Sequence, residues 1–218
     1  MKPLIVANWK MNPQTLEESK RLFNSVRNGI KGIKNTEIVI CPPFIYLLNL
    51  KSKILNLKLG AQDVFWEAKG AFTGEVSALM LRNLGVEYVI IGHSERRKYQ
   101  RETNKIIEKK IKAALAVGLK PILCIEKISQ LPKDIKRGFS IAYEPLFAIG
   151  TGKPCSIEKA KKIRASLIRF KRVLYGGSVN SENARDFIKK AKFQGLLVGG
   201  ASLNSKEFVK LVKNVIKA

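Results

Sequence analysis

The chain has 218 residues, 45% of them hydrophobic and 27% charged, which suits one soluble domain spanning 1–218 with a sizeable core. Its 41 basic against 17 acidic residues give a net charge of +24, a field that draws in anions. No apolar run approaches the roughly 18 residues of a membrane span, and "MKPLIVANWK" lacks the layout of a signal peptide, so the expected location is the cytoplasm. Three scattered cysteines and one histidine argue against a disulfide framework or a zinc site.

In chain order, short β-rich apolar runs alternate with longer stretches of helical periodicity. The strand candidates are "LIVAN" (4–8), "EIVIC" (37–41), "LKLGAQ" (57–62), "YVIIG" (88–92), "KPILCI" (120–125), "GFSIAYE" (138–144), "RVLYG" (172–176) and "GLLVG" (195–199). Helices are expected over 15–31, 44–55, 75–84, 102–117, 156–170, 181–192 and 205–217. Strands apolar on both faces and separated by helices form a parallel sheet under helical cover. Eight such units point to an α/β fold of the closed (β/α)8 TIM-barrel type, with an open doubly wound sheet as the rival. The first strand is not followed by a Gly-x-Gly-x-x-Gly turn, which counts against a dinucleotide site. Only 18 residues separate Cys124 from Tyr143, with Pro132 between them, so the fifth helix is expected to be largely missing, at most about two turns.

In such a barrel the chemistry sits at the C-terminal strand ends. Strand one ends in "ANWKMN". Asn8 and Lys10 are two apart and would share a side of an extended strand, although read alone they are equally a turn asparagine and a surface lysine. Strand four ends in "GHSERR". His93 precedes a stretch that could open a helix from Ser94, and a helix N-terminus would lower its pKa and keep it neutral. A structural histidine is the other reading. Strand six ends at Glu144, where partial burial would raise the pKa and make a better base. The adjoining loop, 147–153, carries glycines that would let it close over a ligand. Strands seven and eight end in "YGGSVN" and "VGGASLN", either tight turns or a phosphate cradle of backbone amides.

Taken together, "NWKMN", "GHSERR", "AYEPLFAIGTGK", "YGGSV" and "GLLVGGASL" resemble the signatures of the triosephosphate isomerase family, in the family's order and over nearly the whole chain. The resemblance implies interconversion of dihydroxyacetone phosphate and glyceraldehyde 3-phosphate in glycolysis and gluconeogenesis, without cofactor or metal. It implies Glu144 as the catalytic base, His93 as a neutral electrophile, and Lys10 and Asn8 as groups that hold substrate and meet the oxyanion. It further implies that Gly150, Ser178, Gly199 and Gly200 bind the phosphate and that Glu95 partners Lys10. Thr73, at the tip of "AFTGE", would enter a neighbouring subunit of a homodimer. Phe147 stands where the family usually has Trp, Pro154 follows Lys153 at the second lid hinge, and "CIEK" replaces the usual "CIGE". The alternatives are a barrel enzyme for a larger sugar phosphate, and a catalytically weak barrel that binds polyanions through its +24 charge. The lysines are dispersed along helical faces without an aromatic-interleaved basic motif, so nucleic acid is not the expected partner.

Overall fold

The computed structural model describes residues 1–50 and 56–216. Eight parallel strands close on themselves in sequence order: β1 (Leu4–Asn8), β2 (Glu37–Cys41), β3 (Leu57–Ala61), β4 (Tyr88–Ile91), β5 (Lys120–Ile125), β6 (Ser140–Tyr143), β7 (Val173–Tyr175) and β8 (Gly195–Val198). The seam pairs β1 with β8 from Leu4↔Gly195 to Ala7↔Val198. Each predicted strand is present: β1, β2 and β5 keep their expected bounds, and the other five are trimmed by a residue or two at one or both ends, as expected where only the paired backbone counts as strand.

Period-two alternation sorts the strand residues into two cores. Leu4, Val6, Val39, Cys41, Tyr88, Ile90, Ile122, Cys124, Ala142, Leu174 and Leu197 fill the barrel interior. Ile5, Ala7, Ile38, Ile40, Val89, Ile91, Leu123, Ile141 and Val173 face outward against the helices. This double burial makes the strands read as continuous apolar runs, and all three cysteines are buried free thiols within or against it.

The helices are α1 (Leu16–Gly29), α2 (Phe44–Leu47), α3 (Ala78–Asn83), α4 (Ser94–Tyr99), α5 (Asn104–Ala116), α6 (Ile157–Ser166), α7 (Ala184–Lys189) and α8 (Ser205–Ile216). Thr15, Ser77, Thr103 and Ser156 cap α1, α3, α5 and α6, each accepting a backbone N–H with its side chain. The helix expected over 44–55 is shorter: α2 is a single turn followed by turns through residues 48 and 49, and 51–55 lie outside the described residues. Helix α4 lies outside the seven expected helix ranges and opens at Ser94, where the sequence allows a helix to start. No helix among the described residues is long and apolar enough to cross a membrane.

Between β5 and β6 the helix is replaced by one 3-10 turn, Ile128–Gln130, and irregular chain. Gln130 Oε1 accepts the N–H groups of Glu126 (2.7 Å) and Lys127 (3.3 Å), closing that turn. Leu131, Ile135 and Phe139 then pack on the outer core, with the Phe139 ring 5.6 Å from that of Phe170. The barrel wall beneath stays covered: Ile122 to Ile125 and Ile141 to Tyr143 are at most 5% exposed.

Gly195 sits in the closing seam, where a Cβ would lie 2.2 Å from the Leu4 carbonyl oxygen. That atom belongs to a paired strand and cannot swing aside. Gly195→Ala is therefore expected to destabilise the fold by about 2 kcal/mol or more, read as a fall in Tm on thermal unfolding; an unchanged Tm would mean the seam is loosely packed.

Candidate active site

At the C-terminal mouth of the barrel a cavity of about 260 Å³ is lined by Asn8, Lys10, His93, Glu144, Ile149, Gly150, Gly152, Gly176, Ser178, Val179, Asn180, Leu197, Gly199, Gly200 and Ala201. It brings together side chains from β1, β4 and β6 and the backbone beyond β7 and β8. Every residue expected for catalysis or phosphate binding lines it. Glu95 stands beside it, and Thr73 is exposed on a separate loop.

Asn8 is the last residue of β1 and points inward, 5% exposed. Lys10 lies beyond the strand with φ of 53°, a left-handed backbone that costs a non-glycine residue energy and marks a position fixed by its surroundings. The two therefore meet for a reason other than strand alternation. The Lys10 amide donates to Asn8 Oδ1 at 3.1 Å, and Gln62 Nε2 donates to the carbonyls of Lys10 (2.8 Å) and Cys41 (2.9 Å), pinning the turn. The Lys10 ammonium pairs with Glu95.

His93 is the N-cap of α4, its Nδ1 accepting the Glu95 N–H at 3.3 Å. That bond places the imidazole proton on Nε2, which faces Glu144 Oε1 at 3.1 Å. The other carboxylate oxygen of Glu144 accepts the Ser94 N–H at 3.1 Å. Glu144 is 2% exposed and His93 6%.

Both pKa directions differ from those expected of isolated groups. Burial pushes Glu144 up, but His93, the Ser94 N–H and the Cys124 thiol together outweigh it and hold the carboxyl below its ordinary value. Burial pushes His93 down, but the Glu144 carboxylate, its hydrogen bond and Glu95 win, so the imidazole is raised. Helix α4 has only six residues, so its dipole is weak beside a carboxylate at 3.1 Å.

The lid runs from Pro145 to Cys155 and rests on β7. Gly152 donates its N–H to Ser178 Oγ (3.1 Å), the Ser178 hydroxyl donates to the Ala148 carbonyl, and the Cys155 N–H donates to the Tyr175 hydroxyl (2.8 Å). The Phe147 ring is half exposed and lies 4.6 Å under the Lys159 ammonium. The two Gly-Gly pairs serve different ends. A Cβ on Gly177 would lie 2.7 Å from the Tyr175 hydroxyl and one on Gly176 3.2 Å from Glu144 Cγ, so the first pair admits the lid and the base. Gly200 has open space around it, and a Cβ on Gly199 would reach only Lys10, so the second pair leaves backbone facing the cavity.

Several contributors escaped the sequence reading. Gln62 had a signal, being the polar residue at the end of "LGAQ". Ser94 acts through its amide, which any residue would supply. Tyr175 and Cys124 lie inside the apolar runs "RVLYG" and "KPILCI", which give no sign of a polar role.

The triosephosphate isomerase family model matches residues 3–215. The chain belongs to the triosephosphate isomerase family. The triosephosphate isomerase of Endomicrobium trichonymphae is 41% identical over 97% of this chain and 98% of its own length. That of Aquifex aeolicus (strain VF5) is 40% identical over 97% and 99%. The crystal structure of triosephosphate isomerase from Bartonella henselae superposes with a TM-score of 0.86 at 30% identity, covering all of both chains. Membership in the triosephosphate isomerase family and the closed barrel agree with the reading from the strand-end motifs.

The His93–Glu144 pair has a pH signature. The raised His93 contributes stability in full below its unfolded value of 6.5, lost as pH rises through the higher folded value. The lowered Glu144 contributes above 4.5, lost as pH falls through the lower folded value. The pair is thus strongest between those two limits. The Tm difference between the native chain and His93→Gln should be larger at about pH 5.5 than at about pH 8.5; a difference constant across that range would show that no charge forms on the imidazole.

Proposed function

We propose that the chain interconverts dihydroxyacetone phosphate and glyceraldehyde 3-phosphate, an aldose–ketose isomerisation through an enediolate, with the cavity at the barrel mouth as the active site. The observation that carries this is the meeting of Asn8, Lys10, His93 and Glu144 in one cavity with a backbone cradle at Gly199 and Gly200.

In this reading the phosphate lies against Gly150, Ser178, Gly199 and Gly200, under the lid. The reacting carbons then sit between Glu144 on one side and Asn8, Lys10 and His93 on the other. Glu144 waits ionised, because its bonds to Ser94 and His93 favour the charged form. To reach a substrate carbon it must leave those partners. It then keeps only the burial that raises its pKa, and becomes a stronger base at the moment of proton transfer. The same movement strips His93 of the carboxylate that raised it. Burial then favours the neutral ring, whose Nε2–H is free to donate to the oxyanion while Nδ1 stays bound to the Glu95 amide. This pairing of a carboxylate base with a neutral imidazole is the known pattern of pKa tuning in this enzyme family. Lys10 supplies a fixed positive charge. The lid holds the phosphate and keeps out water, which protects an intermediate able to expel that group.

We read the working unit as one barrel domain, acting in the cytoplasm as a homodimer. Met11, Ile45, Leu48, Met80 and Tyr99 are large apolar side chains more than half exposed. Beside them a groove of about 280 Å³ is lined by Lys10, Gln62, Glu95, Arg96 and Tyr99, a berth for a partner's loop carrying Thr73. Full activity from a species whose mass in solution is that of one chain would overturn the dimer.

In a coupled assay with glyceraldehyde 3-phosphate, Glu144→Gln should cut kcat by about 10²- to 10⁴-fold; unchanged turnover would remove Glu144 from the role of base. The +24 chain should also capture its dianionic substrate electrostatically, so kcat/KM should fall as salt is raised. A flat salt dependence would show that the net charge plays no part in capture.

A further inference from the structure

Helix α4 supplies much of the site, yet none of its six side chains is buried. A helix normally sits on an apolar stripe; α4 has none and is held by its two arginines. Arg97 donates to the carbonyl of Gly92 (2.8 Å), to Asn104 Oδ1 (2.8 Å) and to the Cys124 carbonyl (3.1 Å), which ties the helix to the ends of β4 and β5. Arg96 reaches the other way. Its Nε lies 2.6 Å from Glu102 Oε1 and its Nη2 2.8 Å from Asp63 Oδ2. Lys110 of α5 completes a quartet, 2.7 and 2.8 Å from the two Asp63 oxygens and 2.5 Å from Glu102 Oε1. Asp63, Glu102 and Lys110 are 3%, 7% and 2% exposed.

We propose that Asp63 is a positioning residue for the isomerisation: through Arg96 it seats α4, and with it the His93 ring, the Ser94 amide that holds Glu144, and the Glu95 carboxylate that holds Lys10. The role as stated rests on the isomerase reading.

The quartet balances two cations against two carboxylates. With Asp63 neutral, Arg96 and Lys110 compete for Glu102 alone. Lys110 is almost fully buried, whereas a third of the Arg96 side chain is exposed. An unpaired buried ammonium costs more than a guanidinium that can turn to water, so Glu102 goes to Lys110 and Arg96 lets go. Of its two arginine ties, helix α4 then keeps only Arg97.

The geometry also makes the anchor sensitive to protons. Burial pushes Asp63 up to about 6, against the pull of Lys110 and with the push of Glu102, while Arg96 pulls it down. These are the charged groups that face it, from α5, from the α4–α5 connection and from α4. The anchor is therefore set above pH 6 and slackens below it.

Asp63→Asn keeps the shape and removes the charge. The ratio of native to Asp63→Asn kcat should be about tenfold at about pH 8 and fall towards one below pH 6, where native Asp63 is itself protonated. Titration of the substrate phosphate is common to both proteins and cancels in the ratio. KM should change less than about twofold, because the proposed cradle lies on β7, β8 and the lid, none of which supplies a residue of the quartet. Independently of turnover, amide hydrogen exchange over residues 94–100 should quicken in the variant at about pH 8 while α1 and α8 keep their protection. A ratio that does not change with pH, or unaltered exchange in α4, overturns the proposal. Native protein that lacks isomerase activity would sink the functional reading, and the exchange experiment would still decide whether Asp63 seats α4. Should Asp63→Asn fail to fold, Arg96→Lys keeps the four charges but loses the fork that spans both carboxylates; it should show the same loss of kcat and faster α4 exchange, and normal values of both overturn the proposal.

Discussion

The Ser94 amide points at the carboxylate of Glu144 across 3.1 Å, and His93 and Lys10 are held by the same short helix. His93 is its cap, Glu95 in its first turn grips Lys10, and the His93 Nδ1 is filled by its backbone. The barrel brings β1, β4 and β6 to one rim, but that alone leaves the side chains free to turn. What fixes the tautomer of His93, the resting place of Glu144 and the direction of Lys10 is one turn of helix standing at the right height. Burial strengthens the contacts to Glu144, where water competes least, whereas the Lys10–Glu95 pair is part exposed.

Much of the fold could be read from the residues because its cause is local. A strand buried on both faces must be apolar throughout, and the eight runs stood out for that reason. Pro132 and the short span to Tyr143 announced the reduced fifth crossover. The site residues were found because a barrel of this kind restricts chemistry to its strand ends. Other features depend on neighbours distant in the chain. "SERRKY" has no apolar periodicity, since α4 is seated by Asp63 and Glu102 rather than by packing. The left-handed turn at Lys10 is set by Gln62, 52 residues away. The pKa directions of His93 and Glu144 were reversed by their contact with each other, which no single position encodes.

Lid and cradle are coupled through Ser178. Its hydroxyl accepts the Gly152 N–H and donates to the Ala148 carbonyl, so a residue whose backbone amide is expected at the phosphate also ties both arms of the lid with its side chain. Tyr175 does the same at the far hinge, taking the Cys155 N–H next to Pro154. Phe147, at the near hinge, carries no polar ring atom and instead lies beneath Lys159. The lid of this chain is thus tied by backbone amides and one cation over an aromatic face.

The segment between β5 and β6 covers its strands with Leu131, Ile135 and Phe139 and almost no regular structure. A barrel wall evidently asks for a few correctly spaced apolar plugs, and the helix that usually delivers them is one means among several. The exposed polar links between those plugs, around Lys133, Lys136 and Arg137, carry none of the covering. Foreign peptide, such as an epitope or a tether, could be spliced there on the outer flank without crossing the path of the substrate.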